Sequence, residues 1–487
     1  MPPRLLEVTD VTVVGGGPAG AASAIRLAQL GHRVVLVERA ERGRPHVGES
    51  LPPTVLPLLQ TLGVGERVEA ARFLRPRGAI VQWDGVLRDV RDDARDEPGF
   101  QVDRGRFDAL LLDAACACGV TLLQPVAAAE PQRDGGAWTV PLRDRRVVRS
   151  RVVVDARGRR SMAGSQPATV ALYAYWRDVN HIDPRTRVEA SRDAWYWGAP
   201  LPDGPFNATV FIDAARCAGL PRAQRALLYR ELLAESTLLR KLLNESSPDE
   251  VQVCDASVRT ESEPAPDGLL RVGEAAFTID ALSSQGVQAA LRSGIQAAVC
   301  AHTMLQRPSS AALAHRFHAE QATRTARHHA QLAQGFYAAA ARHHGSAFWQ
   351  ARVDAGIAPR VTTESRAWPA LDAMLTVDSR VRWTCVPALD GEWIALRDAI
   401  DHPSLDGPAI DAVALADPSC RAAAAVEPHP WRRACLCAAR EAVASGARWP
   451  GRVVKRRRLC RLEFLAAFAV ARRDALDRAP LPRASAL

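Results

Sequence analysis

The sequence predicts an α/β protein in which a Rossmann-like nucleotide-binding domain is interleaved with a β-sheet substrate domain and followed by a helical C-terminal region. Three observations carry this expectation. A strand, glycine turn, helix and second strand open the chain in "VTVVGGGPAGAASAIRLAQLGHRVVLVERA". Alternating β-type residues such as "ATVALYAYW" occupy its middle, and helix-forming, His-rich sequence sets in after about residue 306. At 487 residues the chain exceeds the length one hydrophobic core usually serves, so two or more domains are expected, with volume to enclose a large ligand.

Composition narrows the class. Hydrophobic residues at 47% and charged residues at 24% describe a water-soluble globular protein, and no apolar run reaches the roughly 18 residues of a membrane helix. The N-terminal "MPPRLLEVTD" lacks the segments of a signal peptide, so a cytoplasmic location is expected and membrane association is not. Pairs among the ten cysteines, such as Cys116/Cys118 and Cys435/Cys437, sit two apart in helix-like stretches and point to different faces; no disulfide framework and no metal is expected. The net charge of +9 is almost wholly arginine, since Lys241 and Lys455 are the only lysines. The basic run "ARWPGRVVKRRRLCR" at 447–461 reads as a solvated helix approach sooner than as a surface for an acidic partner, and no nucleic-acid partner is expected.

In the opening unit, Val11, Val13 and Val14 form a buried parallel strand, and Gly15, Gly17 and Gly20 fit G-x-G-x-x-G with Ala19 inside the motif. The glycines serve a tight turn, close backbone approach to a pyrophosphate, and close packing of helix on strand. The helix N-terminus then faces the phosphates with its positive end. Glu38 ends the second strand, where an acid accepts the ribose hydroxyls of an adenosine, and Arg39 follows it. Adenine-dinucleotide binding follows from the ordered set of strand, glycines, helix, strand and acid.

Further along, "GFQVDRGRFDALLLDAACACG" places Arg104 and Arg106 just before an amphipathic helix, and "LLRVGEAAFTIDALSSQGVQAALRSGIQAA" reads as strand, Gly-Glu turn, loop and helix. These stretches resemble the FAD-binding segments of the aromatic-hydroxylase and flavin-halogenase superfamily. The resemblance implies non-covalent FAD, held by Arg104, by the turn at Gly273 and Glu274, and by the Asp280 loop with Gly286 and Val287 along the isoalloxazine. Glu274 replaces the superfamily's aspartate and Ala281 its proline, and in "VVVDARGRRS" Arg157 stands where V-D-A-T-G has threonine. The nucleotide-binding domain is thus expected to be an FAD-binding domain.

The stretch "HVGESLPP", with "AWYWGAP" and "SAFWQAR", resembles the tryptophan-halogenase-like branch. Trp195, Trp197 and Pro200 match a G-W-x-W-x-I-P motif that lines the space between flavin and substrate, with Ala194 and Ala199 at its Gly and Ile; read from the residues alone, the two tryptophans are same-face core aromatics of a strand. Halogenases pass hypohalous acid to a lysine, and its counterpart region, "ARFLRPRGAIVQWDG", has none. Arg75 and Arg77 there stay protonated and make poor amine nucleophiles. The reaction that remains is the superfamily's oxygen transfer from a flavin C4a-hydroperoxide to an electron-rich ring. Glu49, beside Ser50, has two readings: it accepts a phenol or indole proton or orients the substrate, or it caps the helix-like "TVLPLLQTL".

The expected domain plan assigns 1–75, 100–165 and 255–305 to the FAD-binding domain, 76–99 and 166–254 to the substrate sheet, 306–357 to a helical segment, and 358–487 to a hairpin-plus-helices module. The hairpin is signalled by Asp390-Gly391 and the helices lie near 431–445 and 459–477. This module binds a peptide or protein, or caps the active site. His315 and His318 share a helix face but have no acidic or cysteine partner at ligand spacing, so an exposed helix is the preferred reading. With no second nucleotide fingerprint, reduced flavin comes from a separate reductase or directly from NAD(P)H. The expected function is FAD-dependent hydroxylation of an aromatic small molecule or of a tryptophan in a peptide or protein. Lysine-free halogenation and a catalytically weak flavin-binding maturation factor are the alternatives.

Overall fold

The computed structural model describes residues 4–355, apart from 45, 77, 92–97, 160–167, 180–182, 245 and 260–264, together with strand segments at 382–390, 392–401 and 410–411. The chain divides into two units, Met1–Pro359 and Arg360–Leu487.

The first unit begins with β1 (Arg4–Val14), α1 (Pro18–Gln29) and β2 (Val34–Val37), followed by β3 (Ser50–Leu51), α2 (Leu56–Thr61), α3 (Gly65–Ala70), the hairpin β4 (Ala79–Gln82) and β5 (Leu87–Val90), and β6 (Phe100–Gln101). Next come α4 (Arg104–Ala117), β7 (Thr121–Leu123), β8 (Gln132–Asp134), β9 (Ala137–Pro141) and β10 (Arg146–Asp155). One sheet runs β7-β2-β1-β10-β9-β8, with β16 (Leu269–Arg271) also beside β10. Its β7, β2, β1, β10 and β16 are parallel neighbours. Val11, Val13, Val35 and Leu36 are buried, as a parallel strand covered on both faces requires.

Small residues let α1 lie close on α7 (Gly286–Gln306). A Cβ on Gly294 would come within 2.3 Å of the Ala19 carbonyl oxygen. Ser23 Oγ donates back to the Ala19 carbonyl within α1 and across the contact to the Gly294 carbonyl of α7.

The second sheet runs β15-β11-β14-β13-β12-β4-β5, using β11 (Thr169–Trp176), β12 (Thr186–Ala190), β13 (Trp195–Pro200), β14 (Phe206–Asp213) and β15 (Gln252–Asp255). Alternation sorts its side chains between two layers. Leu172, Ala174, Trp176, Tyr196, Ala208 and Val210 pack with Tyr229 and Leu232 of α5 (Arg222–Glu235) and with Leu243 of α6 (Arg240–Leu243). Ala171, Trp195, Trp197 and Phe211 face the other way and pack with α8 (Ala311–His344) and α9 (Ala347–Asp354) through Tyr337, Phe348 and Trp349.

Two expectations are corrected by the packing. Arg104 and Arg106 lie in the first turn of α4, not ahead of it, because Asp103 is the N-cap and accepts from Arg106 N. His318 is buried on α8 instead of exposed: its Nε2 donates to the Arg271 carbonyl at 2.7 Å. Among the described residues no helix is long and apolar enough to cross a membrane, and no group of three His, Cys, Asp or Glu is placed to hold a metal. Cys116, Cys118, Cys217, Cys254 and Cys300 are free.

In the second unit β17 (Arg382–Asp390) and β18 (Trp393–Asp401) form the expected antiparallel hairpin, with β19 (Ile410–Asp411) beside β18. Asp390 pairs with Trp393 where the two strands meet. The helices expected near 431–445 and 459–477, the basic run at 447–461 and Cys435/Cys437 lie outside the described residues.

Candidate active site

A cavity of about 790 Å³ opens at the carboxyl ends of β1, β2 and β10 and continues beneath the second sheet, within the size range of cofactor and ligand sites. At one end the glycine turn shapes it. Gly15 has φ 109°, and a Cβ there would meet the Ala156 carbonyl oxygen at 2.3 Å. A Cβ on Gly20 would stand 1.8 Å from the Gly15 oxygen, whereas one on Gly17 would meet nothing within 4 Å. Gly15 and Gly20 therefore permit the turn and the helix contact, and Gly17 leaves the cavity floor open.

The N-cap of α1 is Gly17, which has no side chain to cap the helix, and Pro18 and Ala19 line the cavity, so among the described residues the first-turn amides are open to an anion. Glu38 follows β2 and is fixed by backbone donors, Gly16 N at 2.5 Å and Ala40 N at 2.7 Å. Arg39 lies beside it on the cavity wall.

A second helix start meets the cavity further along. Gly286 and Val287 open α7, again without a side-chain cap. Gly273, at φ 56°, packs so tightly on α1 that a Cβ would be 2.8 Å from Ala19 Cβ. Glu274 lines the cavity and takes a hydrogen bond from Arg159 at 2.9 Å. Burial raises its proton affinity, but the Arg159 charge and hydrogen bond outweigh this and hold the carboxyl below its ordinary range. Asp280 is pushed the other way by burial; its carboxylate accepts from Leu282 N and from Tyr337 Oη of α8. Arg157 is fastened by Asp155 and Glu130 at the cavity wall.

Arg104 also lines the cavity, and its side chain is committed to other partners. It pairs with Asp108 at 3.0 Å and donates to the Val47 carbonyl at 2.9 Å, holding the "HVGES" loop in place. Burial alone would lower its pKa; Asp108 outweighs that and keeps the guanidinium charged. Gly48 passes close under it at φ 101°.

The site fits an FAD. Two uncapped helix starts face one cavity, a glycine floor is open where a pyrophosphate needs close approach, and an acid stands at the ribose position. Gly15, Gly17, Gly20 and Glu38 would hold the adenosine and phosphates, and Gly273, Glu274, Gly286 and Val287 the ribitol and ring.

The opposite wall is one face of the second sheet, and strand register arranges it. Ala171 is opposite Phe211, Tyr173 opposite Thr209, and Tyr175 opposite Asn207 on β11 and β14; on β13, Trp195 is opposite Phe211 and Trp197 opposite Thr209. Tyr173, Trp197, Thr209 and Phe211 line the cavity. Trp195 lies outside the lining: it stacks on Phe211 with centroids 3.6 Å apart and planes within 3°. Its neighbour in the motif, Trp197, faces the open space.

Glu49 reaches this wall from the loop and is 3% exposed. Its Oε1 accepts from Tyr175 Oη and Asn207 Nδ2, both at 2.9 Å, and its Oε2 accepts from Gly48 N at 2.8 Å. It does not cap the following helical turn, whose N-cap is Pro52. Ser50 also lines the cavity; its Oγ accepts from Gln101 Nε2 at 3.4 Å. Sequence reasoning missed Tyr173, Tyr175, Asn207, Thr209, Arg159 and Tyr337. The signal available was the alternation in "FNATVFID", where polar residues at 207 and 209 interrupt the inward face of an apolar strand.

No lysine lines the cavity among the described residues. Lys241 is exposed on α6, and Lys455 and Arg77 fall outside the described residues. Arg75 lies over the Phe100 ring at 4.0 Å and donates to the Pro98 carbonyl.

Fold and cradle together define an FAD-dependent flavoprotein. The description "Tryptophan halogenase" matches residues 10–90 and 91–381, and the chain belongs to that family. Its cofactor is FAD and its class that of the FAD-dependent oxidoreductases. It is 29% identical over 332 residues to a tryptophan 2-halogenase of Chondromyces crocatus, a match covering 62% of each chain. It is 28% identical over 310 residues to the putative FAD-dependent oxidoreductase LodB of Marinomonas mediterranea, covering 59% of this chain and 83% of that one. Among solved structures, peptidyl tryptophan dihydroxylase QhpG, described as essential for tryptophylquinone cofactor biogenesis, superposes with TM-score 0.64 at 27% identity over 92% of this chain and all of that one. The flavin-dependent halogenase CmlS shares the fold, with TM-score 0.72 at 20% identity over 91% of this chain and 92% of that one.

Proposed function

We propose that the protein is an FAD-dependent monooxygenase that hydroxylates an indole or phenol ring, and that the ring is a tryptophan side chain carried by a peptide or protein. The observation that carries this reading is a buried carboxylate, Glu49, at an aromatic-walled cavity that no described lysine lines. A halogenating route needs a neutral amine to capture the oxidised halide, and an arginine, charged throughout the working pH range, does not supply one. The likeness to QhpG along nearly the whole chain supports a peptide-borne tryptophan.

Bound and reduced FAD would supply the activation of dioxygen. The chain's own residues position and polarise. Trp197, Phe211 and Tyr173 enclose the ring in apolar surface, and Glu49 takes the ring N–H or O–H as hydrogen-bond donor, raising electron density at the carbon to be oxidised. Ser50 stands beside it at the loop end. Trp195 supports the wall from behind Phe211. In this reading 1–75, 100–165 and 255–305 serve FAD, 76–99 and 166–254 serve the substrate, 306–357 backs the chamber, 358–487 is a separate module, and a separate flavin reductase delivers the electrons.

The test is incubation of the FAD-loaded protein with a flavin reductase, dioxygen and a tryptophan-containing peptide, in parallel with free tryptophan. A mass gain of one oxygen or more on the peptide is expected. Family membership favours one second reading, lysine-free halogenation, which a halide-dependent product with the halogen isotope pattern would establish.

A further inference from the structure

We propose that Tyr175, Asn207 and Thr209 make Glu49 an acceptor for one donor only, so that the chamber selects aromatic rings bearing an N–H or O–H and rejects their methylated analogues. This rests on the chamber being the aromatic pocket described above, and it adds three positioning residues and a selection rule.

The rule follows from counting lone pairs. A carboxylate offers about four acceptor positions. Tyr175 and Asn207 fill the two on Oε1 and Gly48 N fills one on Oε2. Among the described residues the one remaining is on Oε2, and Glu49 lines the cavity while Tyr175 and Asn207 do not.

The polarity of the partners is fixed by the sheet. Tyr175 and Asn207 are cross-strand neighbours, so their polar ends converge on one point without further adjustment. An Asn amide can present either its oxygen or its NH₂. Thr209, two residues along on the same face, donates its Oγ1 to Asn207 Oδ1 at 2.9 Å and commits the NH₂ to Glu49. Burial and the Glu49 charge raise the Tyr175 hydroxyl far above its ordinary range, so it stays a donor. All three groups around Glu49 donate, and the remaining acceptor position can be satisfied only by another donor. A ring lacking that donor leaves a buried carboxylate position unpaired, which costs more than a missing contact in an apolar pocket.

The experiment is calorimetric titration of the FAD-loaded protein with indole and with 1-methylindole. Indole is expected to bind about tenfold more tightly or better. Thr209→Val is expected to narrow that ratio several-fold while the visible flavin spectrum is unchanged, and Thr209→Ser, which keeps the hydroxyl, to retain it; Glu49→Gln is expected to abolish it. Equal binding of the two probes, no binding of indole, or Val and Ser variants that discriminate alike would overturn the proposal. The wild-type comparison stands alone should a variant fail to fold. Intact discrimination without oxygen incorporation would sink the hydroxylase reading and leave this site standing, and hydroxylation without discrimination would do the reverse.

Discussion

Tyr175 and Asn207 stand opposite each other on β11 and β14, and both donate at 2.9 Å to the same oxygen of Glu49, an acid contributed by a loop more than a hundred residues earlier. The sheet thus clips the loop to the chamber wall, and the same contact fixes the group proposed to act on the substrate.

Glu49→Gln tests the clip. A glutamine still accepts from Tyr175 and Asn207 through its oxygen, but its NH₂ then faces the Gly48 N–H, two donors in a buried site. A loss of about 1–3 kcal/mol in folding stability is expected from thermal or urea unfolding, with hydroxylation reduced about a hundredfold or more and FAD retained.

Gly17 and Gly20 are expected to separate folding from cofactor binding. In Gly20→Ala the new Cβ meets the Gly15 backbone oxygen at 1.8 Å, so the protein should lose about 1–3 kcal/mol or more of stability and purify without visible flavin absorption. In Gly17→Ala the Cβ points into open space; stability should be unchanged while FAD affinity falls, as measured by flavin fluorescence titration.

Trp195 gives a contrast of size against polarity. Its Nε1 is buried with no hydrogen-bond partner among the described residues, so Trp195→Phe removes a stranded donor and keeps a ring against Phe211; a change under about 1.5 kcal/mol is expected. Trp195→Ala leaves a cavity behind Phe211 and should cost about 3–5 kcal/mol. Urea midpoints of the two variants check this.

Acid should loosen α8. Burial first, with His315 nearby, lowers His318 to about 4 from an ordinary 6.5, against the opposing hydrogen bond to Arg271. Above pH 6.5 neither folded nor unfolded chain carries this proton and the contribution is complete. As pH falls towards 4 the unfolded chain takes up a proton that the folded chain refuses, and on the order of 3 kcal/mol is lost. His318→Gln, which keeps a donor for Arg271, should flatten the stability profile across that interval.

What the sequence disclosed was whatever a residue type alone determines. Gly15 and Gly20 are demanded by backbone approach, Glu38 by its place at a strand end, and the hairpin at 382–401 by its turn. The meeting of Glu49 with Asn207 depends on strand register and on a loop crossing between sheets, neither of which has a local pattern. Trp195 and Trp197 share a face and a motif, yet one row of the sheet separates stacking on Phe211 from lining the cavity. His318 looked exposed because its partner, the Arg271 carbonyl, is a backbone group of a strand distant in sequence.

The most direct test of the account is mass spectrometry of a tryptophan-containing peptide after reaction with the FAD-loaded protein, a flavin reductase and isotope-labelled dioxygen, with chloride and bromide present. The account predicts incorporation of labelled oxygen into the indole, lost in Glu49→Gln, and no halogen. A chlorinated or brominated indole, or a peptide that gains no label, would contradict it.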